Sequence, residues 1–231
     1  MAGSGDEAQK EQMKVAFIPG TGRMGSLLAG HLARAGIAVF IGSRSREKAL
    51  QSVQKLLSSC PSDDRIQGDS NPEAAAWANI IVWSPSGPLE EREALLQSLA
   101  PHLKNKIIID VSNVMYFFDE SKWGQTSSVL LNQKALGVPA RWTTAFKGTF
   151  YKLLEELPDP QSPHHTFVAG DDEGAILTTI ALVEAIPGFK GVKAGGLANS
   201  KIIELMGPYW LFELDKLNAG GNYRSGWKYV V

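Results

Sequence analysis

A chain of 231 residues that is 44% hydrophobic and 20% charged can build one globular domain with a real core and carry a modest extension. Its 23 lysines and arginines nearly balance 24 aspartates and glutamates, leaving a net charge of −1. That balance removes any electrostatic reason to expect nucleic acid or an anionic membrane as partner. The single cysteine, Cys60, excludes an intrachain disulfide or a site of several thiolates, and reads as a small half-buried residue at a helix end.

Residues 1–12 (MAGSGDEAQKEQ) are small, polar and charged. They read as a mobile tail without the apolar core of a signal peptide. No uninterrupted apolar run approaches the ~18 residues of a membrane-spanning helix, so a cytoplasmic location is the default expectation. From Lys14 onward, apolar runs alternate with helical periodicity. Val15–Ile18 is a short strand; Met24, Leu27, Leu28, His31, Leu32 and Ala35 then recur at helical spacing, and Gly36 suits the end of that helix. Ala38–Ile41 is a second strand and Glu47–Leu57 a second helix. Strands follow at Ile80–Trp83 and Lys106–Val111, separated by a helix from about Leu89 to Leu99.

Arg141–Ala145 and Thr166–Ala169 are two further strands, and Gly174–Ala185 is a helix introduced by Asp171 and Asp172, acids that suit a helix N-terminus. Strands alternating with helices imply crossover units. The expected fold class is therefore α/β, a Rossmann-type, mainly parallel sheet with helices on both faces. Leu197–Leu217 reads as one long C-terminal helix, apolar round most of its circumference and kinked by Pro208. Such a helix should be buried on more than one side, which makes a homodimer the expectation. The expected organisation is a tail at 1–12, a dinucleotide-binding domain at 13–195, and a helix and tail at 196–231 shaping an acceptor site.

Gly20, Gly22 and Gly25 form G-x-G-x-x-G directly after the first strand and at the opening of a helix. The first glycine makes the tight turn, the second lets backbone approach a pyrophosphate, and the third allows close helix–strand packing. The helix N-terminus behind them offers free N–H groups to phosphate. A glycine pattern alone can be an empty turn, but here the strand, the helix and the spacing accompany it.

The end of the second strand selects the cofactor. An NAD site usually places a carboxylate there for the ribose hydroxyls, whereas this chain has Gly42-Ser43-Arg44-Ser45-Arg46, with no acid before Glu47. Ser43 can donate to a 2′-phosphate, and Arg44 can pair with it and stack on adenine; Arg46 and Lys48 add charge nearby. Mere solvation would explain the polarity of the loop but not the missing acid, so NADP(H) is the expected cofactor.

With these residues the sequence resembles the NADPH-dependent coenzyme F-420 (deazaflavin) reductases and their relatives, among them the reductase domains of STEAP metalloreductases. The matching segments are IPGTGRMG, IGSRSREKA, IIIDVSN at 107–113, FVAGDDEGA at 167–175 and KAGGLANSKIIELM at 193–206. The resemblance implies that Thr21, Gly22, Arg23 and Met24 wrap the pyrophosphate, and that Ser43, Arg44 and Lys48 take the 2′-phosphate. It further implies that Trp83-Ser84-Pro85 lines the nicotinamide and its ribose. Ser112 and Asn113 match a DVSNP-type turn. Ala145-Phe146-Lys147 matches the segment bordering the nicotinamide face, with Lys147 in place of an asparagine. In the deazaflavin reductases a tail like Asn218–Val231 helps to cover the acceptor, which makes Arg224 and Trp227 candidates for acceptor contact. The loop Asn113–Trp123 (NVMYFFDESKW) is longer and more aromatic than that family suggests, as is the strand-end sequence around Trp83 and Ser86-Gly87-Pro88 unlike it.

Hydride transfer between a nicotinamide and a flavin-like ring asks for placement more than for acid–base catalysis, which fits a sequence lacking an evident catalytic dyad. The leading expectation is thus transfer between NADP(H) and a deazaflavin, or a flavin such as FAD or FMN. A small carbonyl or imine compound as acceptor is the alternative, and it would need a proton donor. Lys147 and Tyr116, then Tyr151 and Tyr209, are the candidates, although a helix-start lysine is usually solvated and a tyrosine in an apolar run is usually core. A third alternative is an NADP(H)-binding redox sensor without turnover. His164 and His165, adjacent on a strand, should point to opposite faces, so no metal site is expected there. His31 reads as structural, and Asp110, at a strand's end, as a turn cap or a ribose ligand.

Overall fold

The computed structural model describes residues 13–59, 65–114 and 123–230. Cys60, Tyr116 and most of the aromatic loop therefore lie outside the described residues, as does the tail at 1–12. The elements alternate as the sequence pattern requires: β1 (Lys14–Ile18), α1 (Arg23–Arg34), β2 (Ala38–Ser43), α2 (Arg46–Ser59), β3 (Ile66–Ser70), α3 (Asn71–Trp77), β4 (Ile80–Trp83) and α4 (Leu89–Leu103). After β5 (Ile107–Asp110) come α5 (Ser128–Leu136), β6 (Arg141–Thr144), α6 (Tyr151–Glu156), β7 (His164–Gly170), α7 (Glu173–Glu184) and β8 (Phe189–Lys193).

The strands form one sheet in the order β3-β2-β1-β4-β5-β6-β7-β8. All neighbours are parallel except β6 and β7, which meet antiparallel through Thr143 and Thr144 opposite Gly170 and Ala169. Period-two alternation along the strands makes two cores, one on each face. Val15 and Phe17 of β1 join Leu28 and Leu32 of α1 and Leu182 of α7 on one face. Ala16 and Ile18 join Ala74, Leu96, Leu99 and Val129 of α3, α4 and α5 on the other. At the end of α1, Gly36 adopts φ +87°, where a side chain would be strained. There its N–H bonds Ala33 O while Ile37 N bonds Leu32 O, so the chain reverses into β2.

Several elements were not singled out by sequence patterning. β3 (IQGDS) has one buried apolar residue, Ile66, and β8 (FKGVK) buries only Phe189. Helix α3 is short, but Ser70 caps it by accepting from Glu73 N, with a proline in its first turn. Asp172 caps α7 by accepting from Ala175 N. Asp171, expected to help start that helix, instead accepts from Leu197 N at 2.9 Å and anchors the start of the C-terminal segment.

That segment runs as a 3₁₀ turn (Leu197–Asn199), α8 (Ser200–Glu204), a π-helical stretch (Leu205–Leu211) and α9 (Phe212–Ala219). Pro208 lies in the π stretch, which accommodates the missing backbone donor. The expected burial on more than one side is not met within the chain. Ile203, Gly207, Pro208 and Leu211 face inward, while Ile202, Trp210 and Leu217 are 58%, 52% and 78% exposed. The tail then returns along the start of β7, where β6 does not pair: His165 N donates to Trp227 O at 2.9 Å. Among the described residues no helix is long and apolar enough to cross a membrane.

Candidate functional site

The strand order reverses between β1 and β4, and in open α/β sheets the crevice beyond the strand ends at such a point is the usual ligand site. Here it is a cleft of about 710 Å³. Gly20 sits where a Cβ would lie 2.8 Å from Phe17 O, and its N–H bonds Gly42 O at 2.8 Å, so the turn can only be tight with glycine. Gly22 is the N-cap of α1 and caps it with no side chain. A Cβ there would meet nothing within 4 Å, leaving backbone open for a phosphate to approach. A Cβ at Gly25 would be 3.0 Å from Ser84 Oγ and 3.2 Å from Pro19 O, a close approach of α1 to the ends of β1 and β4. Ser84 fixes that junction by donating to Pro19 O at 2.8 Å.

Thr21, Gly22, Ser43, Arg44, Lys48, Ser84 and Pro85 line this one cleft, together with Ser45, Ser86, Glu91 and Arg92. Ser43 is buried and its Oγ accepts from Ser45 N at 3.3 Å. The Arg44 side chain is 85% exposed and its nearest acid is Glu91 across the cleft, 3.8 Å away. Arg46 turns out of the cleft toward Asp69, at 3.4 Å. The positive end of α1, the basic loop and the absence of a carboxylate on that loop fit a dinucleotide carrying an extra phosphate on its adenosine ribose.

Other residues assigned by resemblance are not in the lining of this cleft. Arg23 donates to Glu155 at 2.7 Å and stacks 3.5 Å from the centre of the Tyr151 ring. Glu155 raises the Arg23 pKa, and Arg23 in turn lowers that of Glu155. Met24 is half-buried against the core of the α1 face. Ala145 is fully buried, and Phe146, at φ +56°, turns its ring into the core beside Phe189, so this pair can border a ligand only through backbone. Ser112 is buried, with both its N–H and its hydroxyl donating to Asp110 Oδ1; Asp110 thus closes a turn. Asn113 O accepts from Arg92 at 3.3 Å.

Lys147 departs from the solvated helix-start lysine of the sequence reading. Its side chain is wholly buried, 2.9 Å from Asp110 Oδ1 and 3.0 Å from Glu204 Oε1, and it also donates to Ser112 O and Ser128 Oγ. Glu204 is a site residue that patterning missed; the only signal was an acid among the inward-facing positions of an apolar helix. Arg92, also missed, donates through Nε to Gly87 O at 2.9 Å. Burial lowers its pKa, while the carboxylates of Asp110 and Glu204 act to raise it.

Of the remaining candidates, Tyr151 lies under Arg23, and Tyr209 packs on Trp123 with ring centres 4.1 Å apart. Arg224 is held by Glu156 through two bonds of 2.6 Å. A Cβ on Gly148 would meet Trp227 at 3.3 Å, so Trp227 packs beside the turn that follows β6. His31 is structural, its Nε2 bonded to Leu154 O at 2.6 Å. His164 and His165 both serve the tail, their Nδ1 atoms accepting from Trp227 N and Tyr229 N. Burial lowers the His164 pKa to about 4.

Comparison with known proteins agrees with this geometry. Residues 14–114 match the family described as NADP oxidoreductase coenzyme F420-dependent. The F420-dependent NADP reductase of Methanothermobacter thermautotrophicus is 32% identical over 208 residues, 85% of this chain and 87% of the relative. That of Methanocaldococcus jannaschii is 28% identical over 211 residues, 85% of this chain and 90% of the relative. In structure, a candidate F420-dependent NADP reductase from Arthrobacter sp. FB24 covers 95% of this chain and 99% of its own at 22% identity, with a TM-score of 0.71. An imine reductase from Bacillus cereus shares the fold at 15% identity, covering 88% of this chain and 60% of its own with a TM-score of 0.54. The glycine turn, the Ser43–Arg44 loop and identity sustained along most of both chains lead to one conclusion: this chain belongs to the coenzyme F420-dependent NADP oxidoreductase family.

Proposed function

We propose that the protein transfers hydride between NADP(H) and a deazaflavin of the coenzyme F420 class, the ring that its relatives' names specify. The observation that carries the cofactor half is the cleft in which Thr21, Gly22, Ser43, Arg44 and Lys48 converge without a carboxylate on the loop after β2. Thr21, Gly22 and the α1 N-terminus hold the pyrophosphate. Ser43, Arg44 and Lys48 hold the 2′-phosphate. Ser84, Pro85 and the turns after β5 and β6 (Ser112, Asn113, Ala145, Phe146) border the nicotinamide, within a nucleotide-binding unit spanning 13–195. Residues 196–231 shape the acceptor side.

When bound, the nicotinamide and the deazaflavin would supply the hydride chemistry, one ring giving and the other taking the hydride. The protein's part is to orient the two rings face to face and exclude water. This fits the enclosure of Lys147: a carbonyl or imine acceptor would need a proton donor beside it, and that ammonium is shut away from the cleft. The exposed Ile202, Trp210 and Leu217 support a homodimer packed through the C-terminal helix, which light scattering at micromolar concentration checks.

The deciding experiment offers purified protein NADPH with a deazaflavin, then with FAD or FMN. Rapid, NADPH-dependent reduction of the deazaflavin is expected. NADPH binding without reduction of any ring acceptor would overturn the reading.

A further inference from the structure

We propose that Lys147 and Glu204 are positioning residues: with Asp110 they form a buried ionic network that sets the turn after β6 at the height the nicotinamide needs. The proposal rests on the reading above only in placing the nicotinamide beyond β4, β5 and β6.

The network begins with enclosure. The side chains of Lys147 and Asp110 are fully buried and that of Glu204 is 3% exposed. An ammonium has three N–H donors, and this one faces four oxygens, on Asp110, Glu204, Ser112 and Ser128. Every proton is engaged, which suits a fixed post and not an acid that must release one.

The carboxylates are equally occupied. Asp110 Oδ1 takes Ser112 N and Oγ at 2.8 and 2.9 Å, while its Oδ2 takes Asn132 Nδ2 at 2.6 Å. Glu204 Oε1 takes Ser128 N and Oγ at 2.7 and 2.6 Å, and Oε2 faces Val114 N at 3.4 Å. Arg92, which holds Gly87 O and Asn113 O, adds a positive charge that interacts at longer range with both carboxylates. One network therefore joins the end of β5, the turn after it, the first residue of α5, the turn after β6 and the C-terminal helix.

Burying so many charges gains little net stability over apolar packing of the same volume. What the arrangement supplies is a single register between the C-terminal helix and the strand ends. The backbone shows the same constraint. The π stretch begins directly after Glu204, and a Cβ at Gly207 would lie 2.6 Å from both Gly148 Cα and Lys147 O. The helix is thus pressed onto the very turn that follows Ala145 and Phe146.

The test compares the full-length protein with E204Q and with the double variant K147M/E204Q. K147M alone strands two buried carboxylates and is the variant most prone to misfold. Three quantities are read: NADPH affinity, the emission spectrum of bound NADPH, which reports the nicotinamide's surroundings, and the single-turnover rate of deazaflavin reduction. E204Q is expected to keep NADPH affinity within about twofold, because the phosphate contacts lie across the cleft. It should change the bound emission and slow hydride transfer about tenfold or more, the scale of a sub-ångström to 1 Å misplacement. The double variant should regain thermal stability without regaining rate. Wild-type emission and rate in E204Q would overturn the proposal and reduce the network to a stability element. Should the unaltered protein reduce no deazaflavin, the functional reading fails by itself, and the emission comparison still decides the positioning role.

Discussion

Replacing Arg44 by alanine tests the cofactor assignment with little risk to the fold. Its side chain is 85% exposed, and its nearest partner, Glu91, is 3.8 Å away with 62% of its own side chain exposed. Exposed pairs of this kind contribute about 0–1 kcal/mol, so the melting temperature of the free protein should stay near that of the unaltered chain. A hydrogen bond from a guanidinium to a phosphate is worth about 1.5–3 kcal/mol. At about 1.4 kcal/mol per factor of ten, R44A should weaken NADPH roughly 10- to 150-fold. NADH lacks the 2′-phosphate and can lose only the stacking on adenine, no more than about fivefold.

R44D adds repulsion and should reach or exceed the upper end of that range. E91Q removes the competing carboxylate across the cleft and should tighten NADPH about two- to fivefold. Fluorescence titrations of each protein with both nucleotides, at one fixed ionic strength because screening changes the term, give the affinities to compare. Equal loss of NADPH and NADH in R44A would show that Arg44 supports the loop and does not read the phosphate, and the NADP assignment would lose its main residue.

Two further outcomes concern stability. Gly207→Ala drives a methyl into Gly148 Cα and Lys147 O at 2.6 Å, backbone that no side-chain rotation can move aside. Overpacking of this kind costs about 1–3 kcal/mol, or about 2–12 °C of melting temperature for a chain of this size; an unchanged calorimetric melt would mean the helix can shift freely. His164 accepts from Trp227 N and packs against Phe189; burial first, and the neighbouring His165 second, lower its pKa to about 4 against an ordinary 6.5. A folded pKa below the unfolded one means that the unfolded chain binds the proton more readily. The resulting stability, about 3 kcal/mol, is full above pH ~6.5 and is lost as the pH falls toward ~4. His164→Gln should flatten the denaturation free energy across that window, and an equally steep decline in the variant would place the acid sensitivity elsewhere.

What the sequence by itself determined was local. The turn at Gly20, Gly22 and Gly25 depends on backbone space within a few residues of each glycine, and the Ser43–Arg44 loop on which side chains directly follow a strand. The alternation of strand and helix follows from periodicities of two and 3.6, which are written along the chain. Even the missed helix α3 left a local mark in Ser70, Pro72 and Glu73, whereas the edge strand β3, with one buried apolar residue, left almost none.

Tertiary structure alone decided what depends on distant neighbours. Lys147 reads as a solvated lysine until β5 and the C-terminal helix bring it Asp110, 37 residues away, and Glu204, 57 residues away. Arg23 is assigned to the pyrophosphate by resemblance, and only the fold shows that α6 brings Glu155, 132 residues on, to the same guanidinium. The C-terminal helix reads as buried on more than one side, and only the fold shows which residues stay exposed within the chain, Ile202, Trp210 and Leu217. A charge acquires its role from the groups that desolvate and pair it, and in this fold those groups are set by packing between layers, not by spacing along the chain.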